Sequence, residues 1–161
     1  MGVKSVLKHI VPGHVRRPGW RGYYHVRDHW LKTIVGCDTT RKVVALTFDD
    51  GPNPDATSSI VEILARYQVR ATFFFLGRQV AAYPNVARQV FEAGHVIGNH
   101  TFTHRRLVGC SPMTVARELL QCQRAIREAV GVKPKLMRPP FGAQDATAFL
   151  TALLLGYPVV N

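Results

Sequence analysis

The feature that most constrains the fold is an alternation, starting at residue 42, of short apolar runs with segments of helical periodicity. The apolar runs are rich in β-branched and aromatic residues and are apolar on both faces, which is typical of buried parallel strands. The intervening segments place apolar residues three and four positions apart, as an amphipathic helix does. The predicted strands span 42–48, 71–77, 95–100, 134–142 and 157–160, and the predicted helices span 56–67, 84–93, 112–130 and 146–155.

This order of elements predicts an α/β fold with about five parallel strands. Right-handed crossovers bring the carboxyl ends of such strands to one edge of the sheet, where folds of this class hold their functional side chains. Polar clusters follow the first, third and fourth predicted strands, so we expect them to meet at that edge. We also expect Asp55, Ser111 and Asp145 to cap helices and Gly131 to end one.

Length and composition exclude some classes of protein. A chain of 161 residues is long enough for one domain, and 47% hydrophobic with 19% charged residues is a normal globular balance. No run of about 18 apolar residues occurs, so we expect no transmembrane segment. The first residues lack the apolar core of a signal peptide. As written, the sequence predicts a cytoplasmic chain, and its localisation stays open because a wrongly assigned start codon could hide a signal.

The formal net charge of +11 is concentrated near the N-terminus. Residues 1–42 contain nine Lys and Arg against two Asp, whereas residues 43–161 contain twelve against eight acidic residues. We interpret residues 1–41 as a basic leader that is poorly ordered or wraps the domain, and residues 42–161 as the domain itself. The alternative is a polyanion-binding arm, for nucleic acid, a membrane surface or an acidic cell-wall polymer. We expect no nucleic-acid binding, because no basic array at helical spacing and no nucleic-acid motif is present.

The three cysteines do not predict a disulfide framework or a zinc knuckle. Cys37, Cys110 and Cys122 are an odd number and contain no CxxC pair. We expect buried or incidental thiols.

The segment NHTFTH (99–104) places His100 and His104 four residues apart. One helical turn or a tight loop can aim both imidazoles at one point, and one oxygen ligand would complete a site for Zn²⁺ or a similar ion with positions left open. Taken alone, the pair could equally be a polar loop or hydrogen-bonded core histidines. A second copy of this spacing, His25 and His29, follows no predicted strand, and we interpret it as part of the surface or leader.

The segment TFDDGP (47–52) places two carboxylates, Asp49 and Asp50, side by side where a strand ends. Their charges repel each other, and a dication would offset that repulsion. One carboxylate could then ligate the ion, and the other could act as a general base on water whose pKa the ion lowers. The alternative is a turn with two solvated carboxylates.

The segment RPPFG (138–142) provides a further set of groups. Arg138 could pair with the carboxylate that acts as the base, holding its rotamer and keeping it ionised. The N–H of Phe141 could face a developing oxyanion. The alternative is a structural Pro-Gly turn with Arg138 on the surface.

These three segments, in this order and roughly 40–50 residues apart, resemble the first three motifs of the polysaccharide deacetylase family, also called carbohydrate esterase family 4 or the NodB-homology domain. The resemblance covers about residues 42–161. It implies a distorted (β/α) barrel and metal-dependent removal of acetyl groups, mostly N-acetyl and also O-acetyl, from glycans such as chitin oligomers or peptidoglycan. Such acetylated glycans lie mostly in the cell envelope or outside the cell.

The resemblance also implies a role for each matching residue. Asp49 corresponds to the catalytic base, Arg138 to the residue that tethers the base, and the Phe141 amide to an oxyanion donor. The metal ligands correspond to Asp50, His100 and His104, for which Zn²⁺ is the first choice and Co²⁺ or Ni²⁺ are alternatives. The position of Thr101 between the two histidines implies that it steadies their loop.

The sequence departs from the family pattern after the fourth predicted strand. The family continues with an Asp-Trp motif and a Leu-x-His motif that supplies the general acid, and neither follows within these 161 residues. We therefore expect a partial barrel, weak or absent activity, and an open sheet edge that a partner or a second copy could cover. Two alternatives to an enzyme remain: a non-catalytic remnant that binds glycan or metal, and a basic module that acts through its leader.

Overall fold

The computed structural model of the protein describes residues 33–36 and 42–161, and the architecture below refers to these residues. In chain order, the elements are β1 (Thr47–Asp49), α1 (Pro54–Arg66), β2 (Thr72–Phe75), α2 (Gly77–Ala82), α3 (Pro84–Glu92), β3 (Val96–Asn99), α4 (Pro112–Val130), a 3₁₀ turn (Pro140–Gly142) and α5 (Ala146–Leu154). No helix in these two ranges is long and apolar enough to cross a membrane.

The three strands form a parallel sheet in the order β1-β2-β3. Single parallel bridges extend it beyond β3, because Met137 pairs with both Asn99 and Val159. The sheet is open and does not close into a barrel, which confirms an α/β fold of the partial distorted-barrel type. Its parallel strands bring their carboxyl ends to one edge, where the charged and histidine residues of the three motifs lie.

The fourth and fifth predicted strands are much shorter than expected. Of residues 134–142 and 157–160, only Met137, Val159 and Val160 form bridges. The physical reason is the number of prolines in both segments, because proline lacks an N–H and cannot donate to a sheet ladder.

The first predicted strand, 42–48, is also shorter, since β1 begins at Thr47. Its preceding apolar residues are not buried: Val44 is 66% and Leu46 is 40% exposed. Within the described ranges β1 pairs only with β2, so it lies at a sheet edge and has less cover than an interior strand.

The helices largely follow the sequence prediction. Ser111 and Asp145 accept hydrogen bonds from the backbone at the starts of α4 and α5, and Gly131 ends α4 in the left-handed conformation with φ 80°. The expected cap Asp55 is wrong, because Asn53 accepts from the N–H groups of residues 55 and 56. The short helix α2 was not expected.

The N-terminal segment contributes at least one residue to the sheet. Ile34 forms a parallel bridge with Val160; its N–H donates to Val159 O at 2.8 Å, and its carbonyl accepts from Asn161 N at 2.9 Å. The sheet edge next to Val159 and Val160 is therefore paired with an earlier part of this chain. Residues 1–32 and 37–41 of the predicted leader, which include His25, His29 and Cys37, lie outside the described residues.

Helix α4 contributes to both hydrophobic clusters of the core. Its Cys122 and Ile126 pack with the apolar side chains of β2, β3 and the first three helices, and its Val115 and Leu119 pack with Met137, Val159 and α5. The Cys122 thiol is buried, which raises its pKa to about 12, and it donates to Phe75 O, so it acts as a core residue. Cys110 is half-buried.

We predict that Gly77→Ala destabilises the domain. A Cβ at Gly77 would lie 2.5 Å from the Phe102 ring and 2.7 Å from Cys122 Cα, and the backbone of α4 cannot easily move away. We expect a loss of about 1–3 kcal/mol in the free energy of unfolding, measured by urea denaturation. Gly36→Ala is the control, because no atom lies within 4 Å of the added Cβ. A Gly77→Ala variant as stable as the parent would show that α2 and α4 are not packed this closely.

Candidate metal centre

Two consecutive carboxylates face the same imidazole because the backbone turns between them. Successive side chains of a strand normally point to opposite faces. Asp49 is the last residue of β1, and Asp50 has a φ of 69°, so the chain leaves the strand conformation there. As a result, Asp49 Oδ2 lies 4.0 Å and Asp50 Oδ1 lies 3.4 Å from Nε2 of His100.

His100 is held as a neutral ligand with its free nitrogen toward the carboxylates. Its Nδ1 lies 2.7 Å from Arg138 O. A carbonyl only accepts, so Nδ1 carries the proton and the Nε2 lone pair is left facing Asp50. Burial of the ring lowers the pKa of His100 and outweighs Asp49, the Arg138 carbonyl and Asp50, which raise it. The imidazole is therefore neutral at pH 7, as a metal ligand must be.

His104 completes a set of three possible ligands. Its Nε2 lies 3.1 Å from Asp50 Oδ1. The ligand atoms of Asp50, His100 and His104 all lie within 4.8 Å of one another. A carboxylate oxygen and an imidazole nitrogen 3.4 Å apart are close enough for one cation to bind both. The donor set of two nitrogens and one oxygen fits Zn²⁺ and related ions and leaves positions for water and substrate.

Arg138 connects the first and third motifs. Its Nη1 donates to Asp49 Oδ1 at 2.8 Å and to Thr47 Oγ1 at 2.9 Å. Its guanidinium carbon lies 4.3 Å from the centre of the Phe74 ring, so the planar group is also held by stacking. One oxygen of Asp49 is therefore bound by Arg138, and the other lies on the side of His100.

Phe141 lies beside the imidazoles on the 3₁₀ turn. Its ring meets His104 edge-on with a centroid distance of 4.7 Å, and the side chain is 67% exposed. Its φ of 61° is unusual for a residue with a side chain. The Phe141 side chain thus contacts one of the three possible ligands, His104. All six residues singled out in the sequence as site candidates lie together.

Thr101 contributes to the loop between the histidines mainly through its backbone. Its N–H donates to Asn99 Oδ1, and its carbonyl accepts from Gly77 N. The Thr101 hydroxyl is buried and has no hydrogen-bond partner in the described part of the chain. The expectation that Thr101 steadies this loop therefore has a structural basis in the main chain, not in the hydroxyl.

Sequence analysis missed three residues that support the site. Asn99 is fully buried: its side chain donates to Leu119 O and Tyr157 Oη, and its backbone carbonyl accepts from Arg138 N. The sequence predicts Thr47 only as part of a strand. It predicts Glu118 only as part of a helix, although an acidic residue among the apolar positions of α4 is a signal that can be seen in the sequence.

Comparison with known proteins identifies the family of this chain. Residues 36–160 match the polysaccharide deacetylase family. The chain is 37% identical over 122 residues to the peptidoglycan-N-acetylglucosamine deacetylase PgdA of Listeria monocytogenes, covering 76% of this chain and 26% of that protein. It is 40% identical over 119 residues to a chitooligosaccharide deacetylase of a Bradyrhizobium species, covering 73% of this chain and 54% of that protein.

A solved structure shows the same architecture. A family 4 carbohydrate esterase from Streptomyces lividans, in complex with acetate, superposes with a TM-score of 0.70 at 36% identity, covering 73% of this chain and 61% of the esterase. The chain thus spans only part of the length of these relatives. The match extends over most of its own residues and includes all three motifs, so the chain belongs to the polysaccharide deacetylase family.

Proposed function

We propose that this domain removes acetyl groups, chiefly from N-acetylated sugars of a glycan, with a divalent metal ion at Asp50, His100 and His104. The observation that supports this most strongly is the convergence of these three side chains beside the Asp49–Arg138 pair. The named activities of the relatives supply the reaction class, and both peptidoglycan and chitin oligomers remain candidate substrates.

The metal ion would provide Lewis acidity, which acidifies water and polarises an acetyl carbonyl. We propose Zn²⁺, with Co²⁺ and Ni²⁺ as alternatives, since the nitrogen and oxygen donors suit all three. His100 is prepared for this role by its hydrogen bond to Arg138 O, which keeps the Nε2 lone pair toward the site.

In this proposal Asp49 is the general base. Arg138 binds its Oδ1 and fixes its rotamer, which leaves Oδ2 to take a proton from the attacking water. The water oxygen bonds to the acetyl carbon, the carbon–nitrogen bond breaks, and acetate and a free amine are the products. The proton taken by Asp49 is then available for the departing amine.

The Phe141 N–H is proposed to stabilise negative charge on the acetyl oxygen. This role is supported by the contact of the Phe141 ring with the His104 ring, whose centroids lie 4.7 Å apart. A donor fixed in a turn needs no reorganisation when the charge develops, which is why such groups are effective in acyl transfer.

The metal assignment predicts opposite results for the two adjacent aspartates. Asp50→Asn should lower Zn²⁺ affinity by at least tenfold, because it removes a charged ligand, and His100→Ala with His104→Ala should abolish stoichiometric binding. Asp49→Asn should keep one Zn²⁺ per chain, since Asp49 is held by Arg138 and lies outside the set of three. Metal content after dialysis measures the number of Zn²⁺ ions per chain, and competition with a zinc-binding dye measures the Zn²⁺ affinity.

Asp49→Asn and Asp50→Asn control for each other, because each removes one negative charge and the two positions are adjacent. Equal loss of zinc in Asp49→Asn and Asp50→Asn would contradict the division of roles. One zinc per chain in the double histidine variant would mean that the ion binds elsewhere.

The catalytic assignment predicts that the zinc-loaded chain releases acetate from N-acetylglucosamine oligomers, and that Asp49→Asn lowers this rate by about 10²–10⁴-fold while zinc stays bound. Enzymatic detection of acetate measures the rate. Asp145→Asn is a suitable control, because Asp145 caps α5 and bonds Gly109 N. Zinc binding with no release above that of Asp49→Asn would favour a non-catalytic metal- or glycan-binding domain.

A further inference from the structure

We propose that Glu118 is a positioning residue for the metal centre, whose buried carboxylate fixes the loop that carries His104. This proposal rests on the proposed function for the identity of the metal ligands. It adds to that function a residue of α4 that touches neither metal nor substrate.

Glu118 hydrogen-bonds to the loop with both of its oxygens. Oε2 accepts from the N–H groups of Phe102 at 3.0 Å and Thr103 at 2.8 Å, and Oε1 accepts from the Thr103 hydroxyl at 2.8 Å. All three contacts are made to the residues between the two histidines, and Thr103 is directly bonded to His104. The carboxylate therefore acts as a clamp on the chain just before this ligand.

The position of Glu118 on its helix is otherwise apolar. The buried residues of α4 are Val115, Glu118, Leu119, Cys122, Ile126 and Ala129, and Glu118 is only 6% exposed. Burying a carboxylate costs free energy unless hydrogen bonds compensate it, and here the compensating donors come from the histidine loop. An apolar side chain would suit the packing of this helix face at least as well, so packing alone does not account for an acid here.

The loop needs such contacts because its conformation is unfavourable. Thr101 and His104 both have positive φ, 69° and 66°. Gly77 N and Arg78 N bind the carbonyls of residues 101 and 102, whereas Glu118 binds the N–H groups of residues 102 and 103. Without the carboxylate these two amides lose their acceptor, and the His104 ring is free to shift. Metal ligands tolerate errors of only about 0.2 Å in distance, so a small shift lowers affinity.

The test compares three variants of the full 161-residue chain. Glu118→Met removes all the acceptors but keeps the length and helix preference of the side chain. Glu118→Gln is the conservative rescue, because its Oε1 can accept from both amides and its NH₂ can donate to Thr103 Oγ1. Glu128→Gln is the control for charge, since Glu128 lies on the exposed side of α4 and pairs with Arg124.

The readouts are the Zn²⁺ affinity, the visible absorption of the Co²⁺-loaded chain, and hydrogen exchange of the Phe102 and Thr103 amides without metal. We expect Glu118→Met to lower Zn²⁺ affinity by about 10–100-fold, to alter the Co²⁺ bands and to speed exchange at both amides. We expect Glu118→Gln to stay within about twofold of the parent and Glu128→Gln to match it. All affinities are measured under solution conditions in which urea denaturation shows that the variant is folded.

A Zn²⁺ affinity of Glu118→Met within about twofold of the parent would overturn the proposal, and so would an equal loss in Glu118→Gln. If Glu118→Met does not fold, Thr103→Val decides, because it deletes only the hydroxyl contact: a fall of about threefold supports the proposal and an unchanged affinity overturns it. A parent chain that binds no Zn²⁺ would instead overturn the metal centre itself, which separates the two failures.

Discussion

The hydrogen bond from His100 Nδ1 to Arg138 O is the contact on which the site depends. It joins the second and third motifs, fixes the tautomer of His100 and turns the Nε2 lone pair toward Asp50. The side chain of the same Arg138 binds Asp49, so one residue orients both a possible ligand and the proposed base. A shift of residue 138 would therefore disturb the possible ligand His100 through the backbone carbonyl and the proposed base Asp49 through the side chain.

The apolar sheet keeps these polar contacts in register. Asn99 ends β3 in the core, where its side-chain Oδ1 accepts from Thr101 N and its backbone carbonyl accepts from Arg138 N, so one buried residue positions the start of both loops. Helix α4 packs on both hydrophobic clusters and supplies Glu118 to the same loop. The stability of the core therefore determines where the imidazoles lie, although no core residue takes part in the chemistry.

Much of this arrangement could be predicted from sequence, because strand ends and motif residues are local signals. The parallel βα order predicts that the two aspartates and the two histidines lie at one edge of the sheet, whereas the choice of Asp50 as the ligand comes from the family resemblance. The features that sequence did not predict depend on distant partners. Ile34 pairs with Val160 across more than 120 residues of chain. The burial of Glu118 depends on how the histidine loop folds over α4. Prolines shorten the later strands. These prolines are visible in the sequence, but the strand prediction there follows the apolar pattern.

Backbone strain is concentrated where the chemistry is proposed. Five non-glycine residues in the described ranges have positive φ, and only Gln68 lies outside the three motifs. Each such conformation costs about 1–3 kcal/mol, so it persists only when the surroundings hold it. At Asp50 the turn brings two like charges to one side, and at Thr101 and His104 it closes the histidine loop against Glu118 and Gly77. The domain thus tolerates strain and charge repulsion at the same edge, and a bound cation would relieve the repulsion directly. This links the stability of the loops to metal binding: an ion bound only by the folded site stabilises that fold by mass action.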